Sequence, residues 1–386
     1  MAKFVRKFTK RIFIVANIIL VAVFLLACLN GYLNPREWWW IAVLGLGIPF
    51  LIVLDFAFII FWLIFRSRWV FLPLIALLFS IGNIKALIAF NFSTSFQPAK
   101  DSTHVRILTW NVSWFDEQRK GNTFQKSKRK DMLAYIGTEN ADILCFQEFL
   151  ESNREKNPSL YSNLEDLAKM GYPYSFYARD YSTAWGAFNA GPVIVSRYPI
   201  VATYKINYGG PKQLRAAESL IGADIDINGK YLRIYTTHLQ SILLQKDDYR
   251  NIEIIRNADD SIVEASRSIL KKLKSGYYYR GEQSDIVRRE LDKSPFPVII
   301  CGDFNDIHNS YTYSTIKGDM QDAFLEKGAG IGRTYRNIAP TLRIDYIFVD
   351  KKFTVQQAKR VLGPYSDHHP VVAEDRKSTR LNSSHT

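Results

Sequence analysis

Six short apolar runs in this chain each deliver a carboxylate, an amide or an imidazole at or near an end, and that recurrence restricts its folds more than any other feature. Pro297-Val298-Ile299-Ile300-Cys301 leads into Gly302-Asp303-Phe304-Asn305-Asp306. Ala141-Asp142-Ile143-Leu144-Cys145-Phe146 leads into Gln147-Glu148, and Val105-Arg106-Ile107-Leu108-Thr109-Trp110 into Asn111. Tyr231-Leu232-Arg233-Ile234-Tyr235-Thr236-Thr237 leads into His238. Arg343-Ile344-Asp345-Tyr346-Ile347-Phe348-Val349 carries an acid where strands disfavour one. Ser366-Asp367-His368-His369-Pro370 precedes Val371-Val372-Ala373. Bounded runs of this length read as strands. Asp303 and Asn305, two apart on extended backbone, share a face and could converge on a metal ion, a water or a phosphate. Taken singly, each run has a structural explanation: a turn, a solvated strand end, a hydrogen-bonded core Asp. Taken together, they predict strands whose ends meet at one polar site.

In order and spacing, the segments TWN, FQE, THLQS, GDFND, RIDYIF and SDHHP resemble the endonuclease/exonuclease/phosphatase superfamily. Its members include deoxyribonuclease I, abasic-site endonucleases, inositol polyphosphate 5-phosphatases and neutral sphingomyelinases. The matching segments spread over residues 105–373, and GPVIVSRYP at 191–199 is similar to the family's strand ending in an SRYP turn. The resemblance implies a four-layer α-β-β-α sandwich, with two sheets face to face, helices outside, and an active site at one edge. Helical periods at 124–138, 159–170 and 252–273 are compatible with it.

Hard oxygen donors without a Cys/His cluster favour Mg²⁺ or Mn²⁺ over structural zinc. By resemblance, Glu148 is the main metal ligand, with Asn111 and Asp367 completing the metal and phosphate environment. His368 handles the nucleophilic water and is oriented by Asp345, a pairing with a physical motive, since a carboxylate fixes the imidazole tautomer. Asp303 positions water or assists proton transfer, Asn305 holds the phosphate, and His238 stabilises the phosphate or the leaving group. His369, at a position the family varies, is expected to support its neighbours. The implied reaction is hydrolysis of a phosphodiester or phosphomonoester in a nucleic acid, a lipid head group or a small phosphoester. Loops 180–190 and 209–217 are expected to shape that choice. A non-catalytic scaffold keeping the fold is the alternative, although no key position is missing. The early Asp-x-His and later Asn-His pairs of calcineurin-like phosphatases are absent.

The first 90 residues are of another kind. Stretches 12–33, 38–65 and 69–90 are each apolar enough, and long enough, to cross a hydrocarbon core of about 30 Å. The last two are separated by Arg66-Ser67-Arg68. A single helix through both would be about 80 Å long, so they are expected to form a hairpin, with three transmembrane helices in all. Seven basic residues (Lys3, Arg6, Lys7, Lys10, Arg11, Arg66, Arg68) on one side face two (Arg36, Lys100) on the other. This places the N-terminus in the cytoplasm and the catalytic domain outside it, the expected setting being a bacterial inner membrane. Asn83 and Lys85 make the third span the weakest; were it to lie on the membrane, the domain would face the cytoplasm. Leu25-Leu26-Ala27-Cys28 loosely resembles a lipoprotein cleavage site, but Leu26 fits poorly and two further spans make a lipid anchor redundant.

The expected organisation is an anchor over 1–90, a polar linker over 91–101 and a catalytic domain over 102–374. Residues 375–386 (DRKSTRLNSSHT) carry no apolar pattern and coincide with one reading frame of a common sequencing-adapter oligonucleotide. The natural strand is therefore expected to continue differently after Glu374, and His385 is not recruited as a ligand. Of the net charge of +13, residues 1–99 carry +7 (nine basic, two acidic) and the tail +2 (three basic, one acidic), leaving +4 for 100–374. A nucleic-acid surface is not evident from charge. The cluster Arg119, Lys120, Lys126, Lys128, Arg129 and Lys130 reads equally as a phosphate contact or a solvated helix face. Three cysteines make no disulfide framework, and no protein partner is inferable.

Overall fold

In the computed structural model the structure describes residues 2–92, 95–116, 127–156, 158, 160–209, 217–242, 244, 246–257 and 261–377. The chain forms two compact units, one made of Met1–Ile88, Ile242–Glu282 and Ile307–Ser314, the other of Ala89–Ser241, Gln283–Asp306 and Thr315–Thr386.

The second unit is built on two sheets. The first, of seven strands, has the order Phe353–Arg360, Val371–Lys377, His104–Asn111, Ile143–Ser152, Phe188–Ser196, Tyr174–Tyr177, with Tyr181–Thr183 also paired to Phe188–Ser196. The second, of six, runs Gln321–Asp322, Asp345–Val349, Val298–Asp303, Lys230–His238, Glu218–Ile227, Ile200–Ile206. Each sheet has one parallel pair at its centre, His104–Asn111 with Ile143–Ser152 and Lys230–His238 with Val298–Asp303. These central strands are buried on both faces, which is why they read as continuous apolar runs rather than alternating ones. Ile107, Ile143, Ile194 and Ala373 of the first sheet meet Ile221, Ile234, Ile299 and Ile347 of the second in one buried core. On the outer face of the first sheet, Leu108, Leu144, Val193 and Val372 pack with Met132 and Ile136 of helix Arg129–Glu139 and Leu167 of helix Asn163–Lys169. Beyond the second sheet, Tyr235 Oη donates to Glu290 O at 3.4 Å, in the last turns of helix Ile262–Asp292. The layers are those of an α-β-β-α sandwich.

The structure adds local detail to these expectations. The helical period at 252–273 belongs to two helices, Lys246–Asn257 and Ile262–Asp292. The polar stretch 91–101 is tied to the first sheet. Arg106 Nη1 donates to Pro98 O at 3.0 Å, Gln97 N to Gln357 Oε1 at 2.8 Å, and Arg106 and Lys359 both sit over the Phe96 ring. The last strand runs on through Asp375 and Arg376 to Lys377; residues 378–386 lie outside the described ones.

In the other unit, the expected first span is one continuous helix, Ala2–Cys28, and the stretch Phe4–Gly31 is long and apolar enough to cross a membrane. The other two are not single helices. Pro35–Gly45 and Ile48–Ile64 meet at 49°, and Arg68–Phe79 and Ile81–Leu87 at 62°. The first break falls where Gly45-Leu46-Gly47 precedes Pro49, because proline removes a helical donor and glycine weakens the helix on either side. Asn34 caps the second helix, accepting from Arg36 N at 3.0 Å, with Pro35 in the first turn. Residues 274–281 and 307–314 pack on these helices. Arg36 Nη2 donates to Tyr278 Oη at 3.2 Å, Lys274 lies over the Trp39 ring, and Asn309 Nδ2 donates to Gly45 O at 3.4 Å.

Candidate active site

The strand registers bring the polar ends together. Asp303, last in its strand, is directly opposite both His238 and Asp345. Asn111, last in its own, is opposite Gln147. Asp303 is the hub. Its Oδ2 accepts from Asn111 Nδ2 at 3.1 Å and lies 3.7 Å from His238 Nε2 and 3.6 Å from His368 Nε2. Its Oδ1 accepts from the backbone N–H of Asn305 at 2.9 Å. That short turn requires Asn305 at φ 51°, a left-handed conformation that asparagine tolerates. One hydrogen of the Asn305 amide is used on Leu239 O at 3.0 Å; the second remains for a ligand. Gly302, at φ 143°, admits no side chain, since a Cβ there would stand 2.1 Å from Thr237 O.

Asp345 receives His368 Nδ1 at 2.9 Å and 3.1 Å on its two oxygens. Its own backbone N–H and that of Ile344 both donate to Thr334 Oγ1, and His368 is held by Trp110 Nε1 donating to its carbonyl at 3.0 Å. Burial disfavours charge on both members of the pair. The carboxylates of Asp345 and Asp303 outweigh it at His368 and raise the imidazole well above its ordinary value. With Nδ1 on Asp345, Nε2 is the ring atom that faces Asp303.

Glu148 stands at φ 49°, where the Ile143–Ser152 strand bulges between Phe146 and Phe149. Asn111 Nδ2 donates to its Oε1 at 3.1 Å. Its backbone N–H donates to Oε2 of Glu218 at 2.9 Å, from the other sheet. Glu218 is buried, with Oε2 3.6 Å from His238 Nδ1, an electrostatic contact rather than a hydrogen bond. Burial works against a charged His238, yet Glu218, Asp303 and Glu148 raise its pKa to about 9. Asp367 is joined to this group through Ser366, whose Oγ lies 2.9 Å from Asn111 O and 3.2 Å from Asp367 Oδ1. His369 is different. Burial and the guanidiniums of Arg360, Arg336 and Arg333 push it down to about 4.

All eight residues expected from the sequence, Asn111, Glu148, His238, Asp303, Asn305, Asp345, Asp367 and His368, thus occupy one end of the sandwich. Glu218, Thr334 and Gln147 were missed as parts of it. Gln147 Nε2 donates to Thr109 Oγ1 at 3.1 Å and to Thr236 Oγ1 at 2.8 Å, joining the two sheets behind the site. Arg119, Lys120 and Lys126 lie outside the described residues, as does most of loop 209–217. Arg129 instead pairs with Asp166, and Lys128 Nζ donates to Pro364 O.

The donor set suits a divalent cation. Burial, followed by the charges of Glu218 and Asp367, raises the Glu148 carboxyl above its ordinary value. One buried oxygen of Glu218, Oε1, has no hydrogen-bond partner. Asp303, Asp345 and His368 each offer a ligand atom within 4.8 Å of the others. Of these, Asp345 already has both oxygens engaged by His368, which leaves it better suited to orientation than to ligation.

Comparison with known proteins agrees with this architecture. Residues 108–368 match the endonuclease/exonuclease/phosphatase family, and the chain belongs to it. Residues 10–87 match a domain of unknown function (DUF8431). Among solved structures, an endonuclease/exonuclease/phosphatase from Beutenbergia cavernae is 20% identical, with a TM-score of 0.50, covering 71% of this chain and 72% of that one. The human Nocturnin catalytic domain with bound sulfate is 17% identical (TM-score 0.49, covering 72% and 94%). D. rerio TDP2 in complex with a single-strand DNA product is 16% identical (TM-score 0.45, covering 71% and 99%). At such identities the likeness is one of fold. No curated protein sequence matches.

Proposed function

We propose that the protein is a membrane-anchored, divalent-metal-dependent phosphoesterase whose catalytic apparatus is the cluster at the sheet ends. The observation that carries this reading is the Asp303 carboxylate, shared among Asn111, His238 and His368, with Asp345 behind His368. Mg²⁺ or Mn²⁺, when bound, would neutralise phosphoryl charge and acidify a water. Glu148, Asn111 and Asp367 would hold the ion. Asp345 keeps the Nδ1 proton of His368 in place, so that Nε2 and Asp303 are left to orient the attacking water, and the imidazole would take its proton at Nε2 once the ion's charge has made the ring neutral. A cationic His238 and the second amide hydrogen of Asn305 face the charge that develops on the phosphoryl and leaving oxygens.

The catalytic test uses the full-length protein in detergent with bis(p-nitrophenyl) phosphate. Hydrolysis is expected to stop in EDTA, return with Mg²⁺ or Mn²⁺, and be lost in Glu148→Ala and His368→Ala. Unchanged hydrolysis in both variants would overturn the reading. DNA, RNA, phospholipid and phosphomonoester substrates then identify the ester.

Anchoring by three crossings in a bacterial inner membrane, each bent pair counting as one span, is supported by outward-facing apolar side chains. Phe50, Val53, Phe56, Ile60 and Ile64 are exposed on the first bent pair, and Phe71, Leu78 and Phe79 on the second. The distribution of basic residues favours a domain outside the cytoplasm. Protease added to intact spheroplasts should then remove the domain; protection there, with cleavage in inverted vesicles, would reverse the orientation.

A further inference from the structure

Immediately beside His368 is a group of basic side chains that the proposed reaction leaves unused. The segment Thr334-Tyr335-Arg336 runs antiparallel to Asp367-His368-His369. Tyr335 bridges His368, His369 N donates to Thr334 O at 2.8 Å, and Arg336 N donates to Asp367 O at 2.9 Å. Arg360 ends its strand opposite Val371, at the same end of the first sheet, and Val361 N donates to Pro370 O at 3.0 Å. Arg333, Arg336 and Arg360 are all close enough to act electrostatically on His369, and Arg333 on Arg360.

No ion pair with a carboxylate is made by any of the three arginines among the described residues; Arg336 Nη1 donates only to the Ser366 carbonyl, at 2.9 Å. Two donors or acceptors are also buried without a partner. His369 is 4% exposed and its Nδ1 has no hydrogen-bond partner, and neither has Nε of Arg360. Three guanidiniums around a buried imidazole repel one another, and a buried polar atom without a partner is destabilising. The fully buried arginines of this unit have their acids, Arg106 with Glu374, Arg233 with Asp224 and Arg343 with Asp322; here Arg333 and Arg360 are half-buried and Arg336 is exposed, so the group is open to a ligand from solvent. Guanidiniums gathered without a carboxylate, beside a buried imidazole and an unpartnered Arg360 Nε, suit an anion, and their planar donors suit a phosphate.

We infer that Arg333, Arg336, Arg360 and His369 form a second phosphate subsite, adjoining the catalytic centre, and that the preferred substrate carries a phosphate besides the one attacked. This rests on the phosphoesterase reading. The second phosphate could belong to a nucleic-acid strand or to a small bisphosphate.

The test compares the full-length protein on substrates differing by one phosphate: pTpT against TpT, and fructose 1,6-bisphosphate against fructose 6-phosphate. Wild type should favour the richer member of one pair by about tenfold or more in kcat/KM, and the responding pair identifies the source. The double variant Arg333→Gln/Arg360→Gln, or Arg333→Gln alone should the double not fold, should lose that preference while hydrolysing bis(p-nitrophenyl) phosphate at the wild-type rate. Absence of preference in wild type, or an equal loss on all substrates, would overturn the subsite. If wild type hydrolyses nothing, the phosphoesterase reading fails by itself. Calorimetric titration with inorganic phosphate then decides the subsite: weaker binding by the variant supports it, and equal binding refutes it.

Discussion

The backbone N–H of Glu148 donates to Oε2 of Glu218 at 2.9 Å, so a carboxylate of one sheet holds the left-handed residue that aims a carboxylate of the other. The same Glu218 oxygen faces His238 at 3.6 Å. Removing it frees the Glu148 backbone and takes a negative charge from His238. Glu218→Ala should lower kcat/KM and metal affinity by roughly 10–100-fold, the range seen when a ligand's supporting partner is lost. Glu218→Gln, which keeps the acceptor but not the charge, should retain more of the metal affinity. Metal titration of both variants beside steady-state kinetics checks this; equal affinity in the three proteins would contradict it.

In the proposed mechanism Asp345 acts through the tautomer of His368. Asp345→Asn presents an amide that no longer demands a proton on Nδ1, so Nε2 ceases to be a reliable acceptor. The expected loss in kcat is about 10²–10⁴-fold, with KM little changed and the pH–rate profile displaced. A fall in KM alone would exclude the assigned role.

Asp375 is buried with neither oxygen hydrogen-bonded, and its backbone partners, Val105 and Val355, belong to the apolar core. Burial, with Glu374 beside it, pushes its carboxyl up to about 8. In the unfolded chain this acid loses its proton near pH 4. Between about pH 4 and 8 the native state therefore binds more protons, and stability falls as pH rises. Asp375→Val should stabilise the protein by about 1–3 kcal/mol. The difference in unfolding midpoint should be small at pH 4 and widen to pH 9; a gap independent of pH would show that the carboxyl is not buried in solution.

Gly302→Ala should be among the least tolerated single changes near the site. The added methyl would lie 2.1 Å from Thr237 O on a backbone at φ 143°. A cost of about 2–3 kcal/mol or more is expected from strain and the forced separation of two paired strands. Unfolding midpoints measured beside Cys301→Ala, on the same strand, separate this from ordinary core damage.

Much of this site was legible because six strands end in polar residues, and a strand's end is where its side chains leave the core. Glu218 was not legible for the opposite reason. It opens the strand Glu218–Ile227, next to Ser219, and two polar residues at a strand start look like a solvated edge. Only the bulge between Glu218 and Ile221 turns it inward. Arg333, Arg336 and Arg360 are scattered in sequence and meet only through the pairing of 334–336 with 367–369 and the end of the neighbouring strand. Hydropathy foresaw apolar helices before residue 90 but not their bends, because composition averages over Gly47, Pro49 and Ser80, where the hydrogen-bond ladder is interrupted.

Gln147 has one further consequence. By donating to Thr109 in one sheet and Thr236 in the other, its amide rivets the layers at a fixed spacing behind the site. Glu148 and Asn111 come from the first layer, and Asp303, His238 and Asp345 from the second. On the proposed reading, the gap across which an ester would be gripped is thus gauged from inside the sandwich. Surrounding segments could then vary without resetting the reaction distance, which would let one proposed hydrolytic apparatus be refitted to a different ester.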